Sequence, residues 1–236
     1  MAKVDYEQKM NSKSYRFFDL VYRLLVLNLL TIILSITVVL MFPAIVASTE
    51  TFKDGPNEYN LFKQYFINFK NNFKKSFFVG LILVILFGIT AYAIYFYSVS
   101  EIKDGETDNL LLLFLNAGFL INFIAIIIIM FLTSHLPLLI CTFKSLTVGE
   151  LLKTSFYVTF RYILTTLILF ICNIVIVGGF LACLFIDARI LAFWMLIGIS
   201  LPLYLGVKLT SGIYYKFNKI NLEQIMHKVD MEDEDE

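Results

Sequence analysis

The sequence predicts an all-α, polytopic membrane helix bundle with about five transmembrane helices, amphipathic interfacial helices on the cytoplasmic side and a loose internal repeat. Three observations predict it. Of 236 residues, 59% are hydrophobic and 16% charged, with a mean hydropathy of +0.79, too apolar for a water-soluble globule with a polar surface. Five apolar runs recur, each near the ~20 residues that cross a ~30 Å hydrocarbon core. Between the runs, lysine and arginine concentrate in alternate loops.

Residues 1–23 form a polar, amphipathic N-terminal segment with eight charges, too long for the n-region of a signal peptide. The apolar run that follows is too long for an h-region, so 24–47 is expected to be the first span. The others are expected at 77–97, 110–133, 162–186 and 188–207, which makes 24–215 one transmembrane domain. Residues 216–236 form a tail ending in "DMEDEDE", with six of the nineteen acids. Such a run neither packs nor enters lipid, and without it nineteen basic residues face thirteen acidic ones, a net charge of +6.

Ahead of the second span lies "FINFKNNFKKSFF". At 100° per residue, Phe62, Tyr65, Phe66, Phe69, Phe73 and Phe77 share one face, Lys63, Lys70 and Lys74 flank it, and Asn68, Asn71, Asn72 and Lys75 cover the remainder. The pattern predicts a helix lying in the inner membrane interface, rings at the acyl boundary and lysines reaching anionic headgroups. A docking surface for another protein is the second reading of the same face. Residues 151–163 repeat the device with Leu152, Phe156 and Ile163.

Orientation follows from the basic residues. Five lie between spans 1 and 2, three between spans 3 and 4, four at or after the end of span 5, and one in each remaining loop. Loops 1 and 3 and the C-terminus are therefore expected in the cytoplasm. Five crossings then put the N-terminus outside, against the five basic residues it carries. A repeat supports that arrangement: "FPAIVASTETF" leading to "LFKQYFINFKNNFKKSFF" returns loosely as "LPLLICTFKSL" leading to "LLKTSFYVTFRYILTT". Copies in one orientation require spans 1, 3 and 5 to be parallel, with Pro43, Pro137 and Pro202 near equivalent inner ends, as terminators or kinks.

The expected spans carry few groups for chemistry. Asn28, Asn116, Asn122 and Asn173 are their amides, read as glue between helices or, more sharply, as a path for hydroxylated solutes. No carboxylate or basic side chain sits at mid-span, where a charge costs ~3 kcal/mol or more. His135, beside Pro137, is read as a satisfied interfacial histidine. Cys141, Cys172 and Cys183 show no C-x-x-C spacing and are read as packing residues. Hydrolase, nucleotide and metal motifs are missing from the sequence, so no enzyme, cofactor or nucleic-acid partner is expected.

Asn28-Leu29-Leu30, Pro43-Ala44 and the helix carrying Phe66, Phe69, Asn72, Phe73 and Lys74 together resemble the YesL family of bacterial membrane proteins. Thr31 replaces the family's usual aromatic and Phe42 its usual glycine. The resemblance implies a multi-pass plasma-membrane protein whose genes accompany carbohydrate-uptake genes. The expected function is that of a non-catalytic accessory or partner of a transport system, in a transporter complex or self-associated. The alternative is a small-solute transporter or oligomeric channel built on the proline-kinked bundle.

Overall fold

The computed structural model describes residues 13–55, 60–100, 109–185 and 194–215, and no strand occurs among them. In hydrocarbon only a helix or a closed barrel satisfies its own backbone, and these apolar runs take the helix. The described helices are α1 (Lys13–Ser35), α2 (Val38–Asp54), α3 (Leu61–Ser100), α4 (Asn109–Thr142), α5 (Val148–Arg161), α6 (Ile163–Phe185) and α7 (Trp194–Tyr215). By length and composition α1, α3, α4 and α7 can each cross a membrane. The α5–α6 pair, bent by 107°, is a fifth candidate, as a broken span or a re-entrant loop. The acidic tail, the loop at 101–108 and the turn at 187–189 lie outside the described residues.

The run expected as one span over 24–47 is two helices. Helix α1 ends at Ser35, and Thr37, with extended backbone, is the N-cap residue of α2. Thr31 Oγ1 then stands 2.5 Å from Ser48 Oγ. Seventeen residues of straight helix would separate them by ~25 Å, so α2 folds back alongside α1. Packing explains the turn. Asn28 and Thr31 find polar partners, and Leu24 and Leu27 join Val46 and Ala47 in the core, only when α1 is flanked by the helices that follow. The expected boundary at 23/24 falls inside α1.

The hairpin returns the chain to the end of the bundle from which α1 starts. Helices α2, α4 and α7, which carry the three repeat prolines, run in one direction, and α3 and α6 run back between them. Lys53 near the end of α2 reaches the Cys141 carbonyl and the Thr142 hydroxyl at the end of α4, and Tyr214 at the end of α7 reaches His135 in the C-terminal part of α4. The start of α1 and the end of α7 therefore lie at one end of the bundle, whereas a single crossing over 24–47 would have put them at opposite ends. We call this the basic end.

Helix α3 is unbroken for 40 residues, about 60 Å and twice the hydrocarbon thickness. The helix expected to lie in the interface is its first half, continuous with the span. Its orientation about its own axis also differs from expectation. Gln64, Asn68, Asn72 and Ser76 are buried against α2, Phe62 and Phe66 are exposed, and Phe69, Phe73 and Phe77 are half-buried. The amides turn inward because α2 offers them Glu50, Thr51 and Asp54, while the outward rings have apolar solvent available in lipid. Farther along, a Cβ on Gly80 would stand 2.8 Å from Phe42 Cβ. The close approach between α2 and α3 thus depends on a glycine in α3, opposite the bulky Phe42.

Helix α5 begins at a capping box: Thr147 Oγ1 accepts the Glu150 N–H while the Glu150 carboxylate accepts the Thr147 N–H at 2.7 Å. It buries Leu151, Ser155 and Val158 and exposes Phe156 and Phe160. Pro43 and Pro137 lie within α2 and α4, which both continue past them, so neither terminates its helix. Pro202 follows an interruption of α7 at Gly198–Ile199, where its missing N–H leaves the Gly198 carbonyl without a helical partner.

Candidate functional site

At the basic end a buried polar network joins α2, α3 and α4. Glu50, only 3% exposed, accepts a hydrogen bond from Asn72 Nδ2 and pairs with Lys144 Nζ at 2.8 Å. Its hydrogen bond to Glu50 raises the Lys144 pKa above the usual lysine value. Asn68 Nδ2 donates to Thr51 Oγ1 at 3.2 Å and to Asp54 Oδ2 at 3.1 Å. Two lysines hold the chain at this end: Lys53 Nζ donates to the Cys141 carbonyl in the last turn of α4 at 3.1 Å, and Lys75 Nζ donates to the Lys144 and Leu146 carbonyls of the link between α4 and α5. The Cys141 carbonyl has no helical N–H to accept, and a cation is favoured at a helix C-terminus. Lys53, one of the lysines of the first basic loop, therefore also caps a helix, and Lys75 ties down the link that follows it.

Asn28 performs a second closure, deeper in the bundle. Its Oδ1 accepts the N–H groups of Ile199 and Ser200 at 2.8 and 2.9 Å, and its Nδ2 donates to the Met195 carbonyl at 2.6 Å. One amide thus satisfies both sides of the break in α7, which unpaired would cost several kcal/mol in lipid. Trp194 Nε1 donates to the Ile176 carbonyl at 3.2 Å, and its indole lies against Gly179 and Gly198.

Between α2, α3, α4, α6 and α7 lies a largely apolar cavity of about 330 Å³. Thr49, Thr133, Ser134 and Asn173 are polar residues of its lining, with Asn173 Nδ2 donating to Ser134 Oγ at 2.8 Å. On one flank Val38, Val39, Leu81 and Val84 line it while remaining 43–63% exposed, so it opens sideways between the start of α2 and α3.

The predicted site residues disperse. Of the four asparagines, Asn28 seals α7, Asn122 donates to the Gly118 carbonyl of its own helix, Asn173 lines the cavity and Asn116 is exposed on α4. They form no single lane. Lys70 and Lys74 are exposed beside the aromatic row, whereas Asn72 faces inward to Glu50. Pro137 and Pro202 line the cavity, and Pro43 packs into the buried part of α2. His135 is buried and bonded on both ring nitrogens, to Tyr214 Oη at 2.6 Å and Thr166 Oγ1 at 2.8 Å. Among the described residues no group of three or more His, Cys, Asp and Glu is arranged to hold a metal. Sequence reasoning missed Glu50. Its signal was the lone carboxylate in "ASTETF", one helical turn before Asp54 and followed by an asparagine-rich helix.

The fold and these closures define a multi-pass α-helical membrane protein. Residues 24–94 match a family described as "Protein of unknown function, DUF624", a stretch that runs from within α1, through α2, into the outer part of α3. Among curated proteins none matches the chain, and none does among solved structures.

Proposed function

We propose that this chain is a non-catalytic, YesL-like protein of the plasma membrane that serves as an accessory partner of a transport system, with its basic end and C-terminus in the cytoplasm. Carbohydrate uptake is the class that the YesL resemblance implies. One observation carries the reading: the buried and half-buried amides and the histidine at depth are engaged within the chain, Asn28 with α7, Asn173 with Ser134, and His135 with Tyr214 and Thr166. A hydrophilic lane for a solute would need such groups unpaired and aligned. The orientation draws on charge. All twelve basic residues among the described positions lie on segments of the basic end, as the positive-inside rule asks of a cytoplasmic face.

The interruption of α7 favours a second reading, a small-solute transporter or channel, because broken helices line substrate sites in many transporters. One experiment separates the two. The full chain is crosslinked in its native membrane and purified, and in parallel it is reconstituted alone into vesicles and assayed for sugar flux. A stable complex with transporter subunits and no flux supports the partner reading. Flux through vesicles containing only this chain overturns it.

A further inference from the structure

The aromatic row of α3 does not stop at the membrane boundary. Phe69, Phe73 and Phe77 stack in succession at centroid distances of 5.5 and 5.7 Å. At 100° per residue the same flank continues through Gly80 and Val84, which line the sideways-opening cavity. Lys70 and Lys74 sit beside the row at its polar end, both exposed, and neither belongs to the network that closes α4. From Phe73 to Val84 the helix rises about 16 Å, close to half of a ~30 Å hydrocarbon core. A cationic pair, a ring-lined track one leaflet long and an apolar recess at its far end match the parts of one phospholipid: anionic headgroup, acyl chain and chain terminus.

We propose that this flank of α3 and the cavity form a seat for a single anionic phospholipid of the leaflet at the basic end. Lys70 and Lys74 hold the phosphate, and one acyl chain follows Phe73 and Phe77 along the flank of α3 to the mouth at Leu81 and Val84 and into the cavity. The geometry favours lipid over a protein segment. A cavity open to hydrocarbon takes a flexible chain without desolvating polar backbone, whereas a peptide entering there would have to bring its own satisfied hydrogen bonds. Water is disfavoured too, since Asn173 and Ser134 are already bonded to one another. The acyl chain would pass over the contact of Phe42 with Gly80, where α2 and α3 touch, rather than between them. This seat does not rest on the accessory reading and would exist equally in a transporter.

The test uses the full purified chain in detergent micelles, loaded with phosphatidylglycerol or with phosphatidylcholine of the same acyl chains, and counts retained lipid by native mass spectrometry. The seat predicts one phosphatidylglycerol per chain, retained roughly tenfold to thirtyfold over phosphatidylcholine, as two lysines near an anionic group would give. Lys70→Gln with Lys74→Gln should bring phosphatidylglycerol down to the phosphatidylcholine level. Cys172→Phe, which fills the cavity from α6, should reduce retention of both lipids; Val84→Trp at the mouth is the second cavity variant should the first not fold. Equal retention of the two lipids by the unmodified chain would overturn the proposal. So would retention that survives filling of the cavity, or displacement of the lipid by glycerol 3-phosphate, which would mark a headgroup site with no acyl track.

Discussion

Asn28 Oδ1 accepts the backbone N–H of Ser200 at 2.9 Å, joining α1 to α7 across 172 residues of sequence. The same oxygen takes the Ile199 N–H, and the amide nitrogen takes the Met195 carbonyl. A side chain from one end of the chain therefore pairs with the backbone of a helix at the other end, and the Ile199 and Ser200 N–H groups exposed by the break in α7 are not orphaned in lipid.

Asn28→Leu should destabilise the protein strongly, because it strands two N–H groups and a carbonyl in an apolar setting. The expected loss is on the order of 2–4 kcal/mol. Asn28→Gln keeps a neutral acceptor and donor on a longer side chain that misplaces them, so it should fall between. Thermal unfolding in one detergent ranks the three proteins, and a Leu variant as stable as the original would show that α7 closes without Asn28.

Gly80 tests the contact between α2 and α3. A Cβ there would stand 2.8 Å from Phe42 Cβ, inside van der Waals contact and too close to be relieved by rotating Phe42. Gly80→Val should cost about 1–3 kcal/mol by overpacking. Phe42→Gly should recover part of that loss in the double variant by opening the same space. Additive losses, measured by denaturation in a fixed detergent, would mean that the two positions do not meet.

Two groups outside the spans link stability to pH in opposite directions. Hydrogen bonding to Thr147, chiefly from its backbone, lowers the Glu150 pKa below the usual carboxylate value, so its contribution is present above the unfolded-state pKa. It disappears as pH falls through the folded-state value. Lys144 is shifted upward by Glu50, so its contribution is complete below the unfolded-state pKa and disappears as pH rises through the folded-state value. Amide exchange at the start of α5, corrected for intrinsic rates, should therefore accelerate in acid, and Glu150→Gln should remove that dependence. Acceleration that persists in the Gln variant would place the titrating group elsewhere.

The hairpin of α1 and α2 makes a sidedness prediction. In a cysteine-free background, cysteines at Ser14 and Ser145 should react with an impermeant thiol reagent from the same side, and one at Ser98 from the other. Shared labelling of Ser14 and Ser98 would restore α1 and α2 as a single crossing and remove the fold-back seen at Thr31 and Ser48.

Much of this was legible along the chain. The apolar runs, the helical class and the aromatic-basic start of α3 follow from composition and from a 3.6-residue period, which are local properties. The parallel relation of the three proline-bearing segments was legible too, because a repeat constrains direction whatever the exact helix bounds. The break at Ile36–Thr37 was not, since those residues are as compatible with the middle of a span as with a turn. Nor was the facing of Asn68 and Asn72: a helical wheel tells which residues share a side, and only the neighbour tells which side is buried.

By itself, the sequence determined that this chain lives in a membrane as helices, because 59% hydrophobic residues in long runs leave no other way to satisfy the backbone in lipid. It also determined where the basic residues cluster. Tertiary structure alone decided that α1 and α2 fold back on each other, that Glu50 is buried beside Asn72 and Lys144, and that Asn28 completes α7. The physical reason is the same each time. A polar group inside a bundle is acceptable only where a specific partner meets it, and those partners stand 17, 22, 94 and 171 residues away.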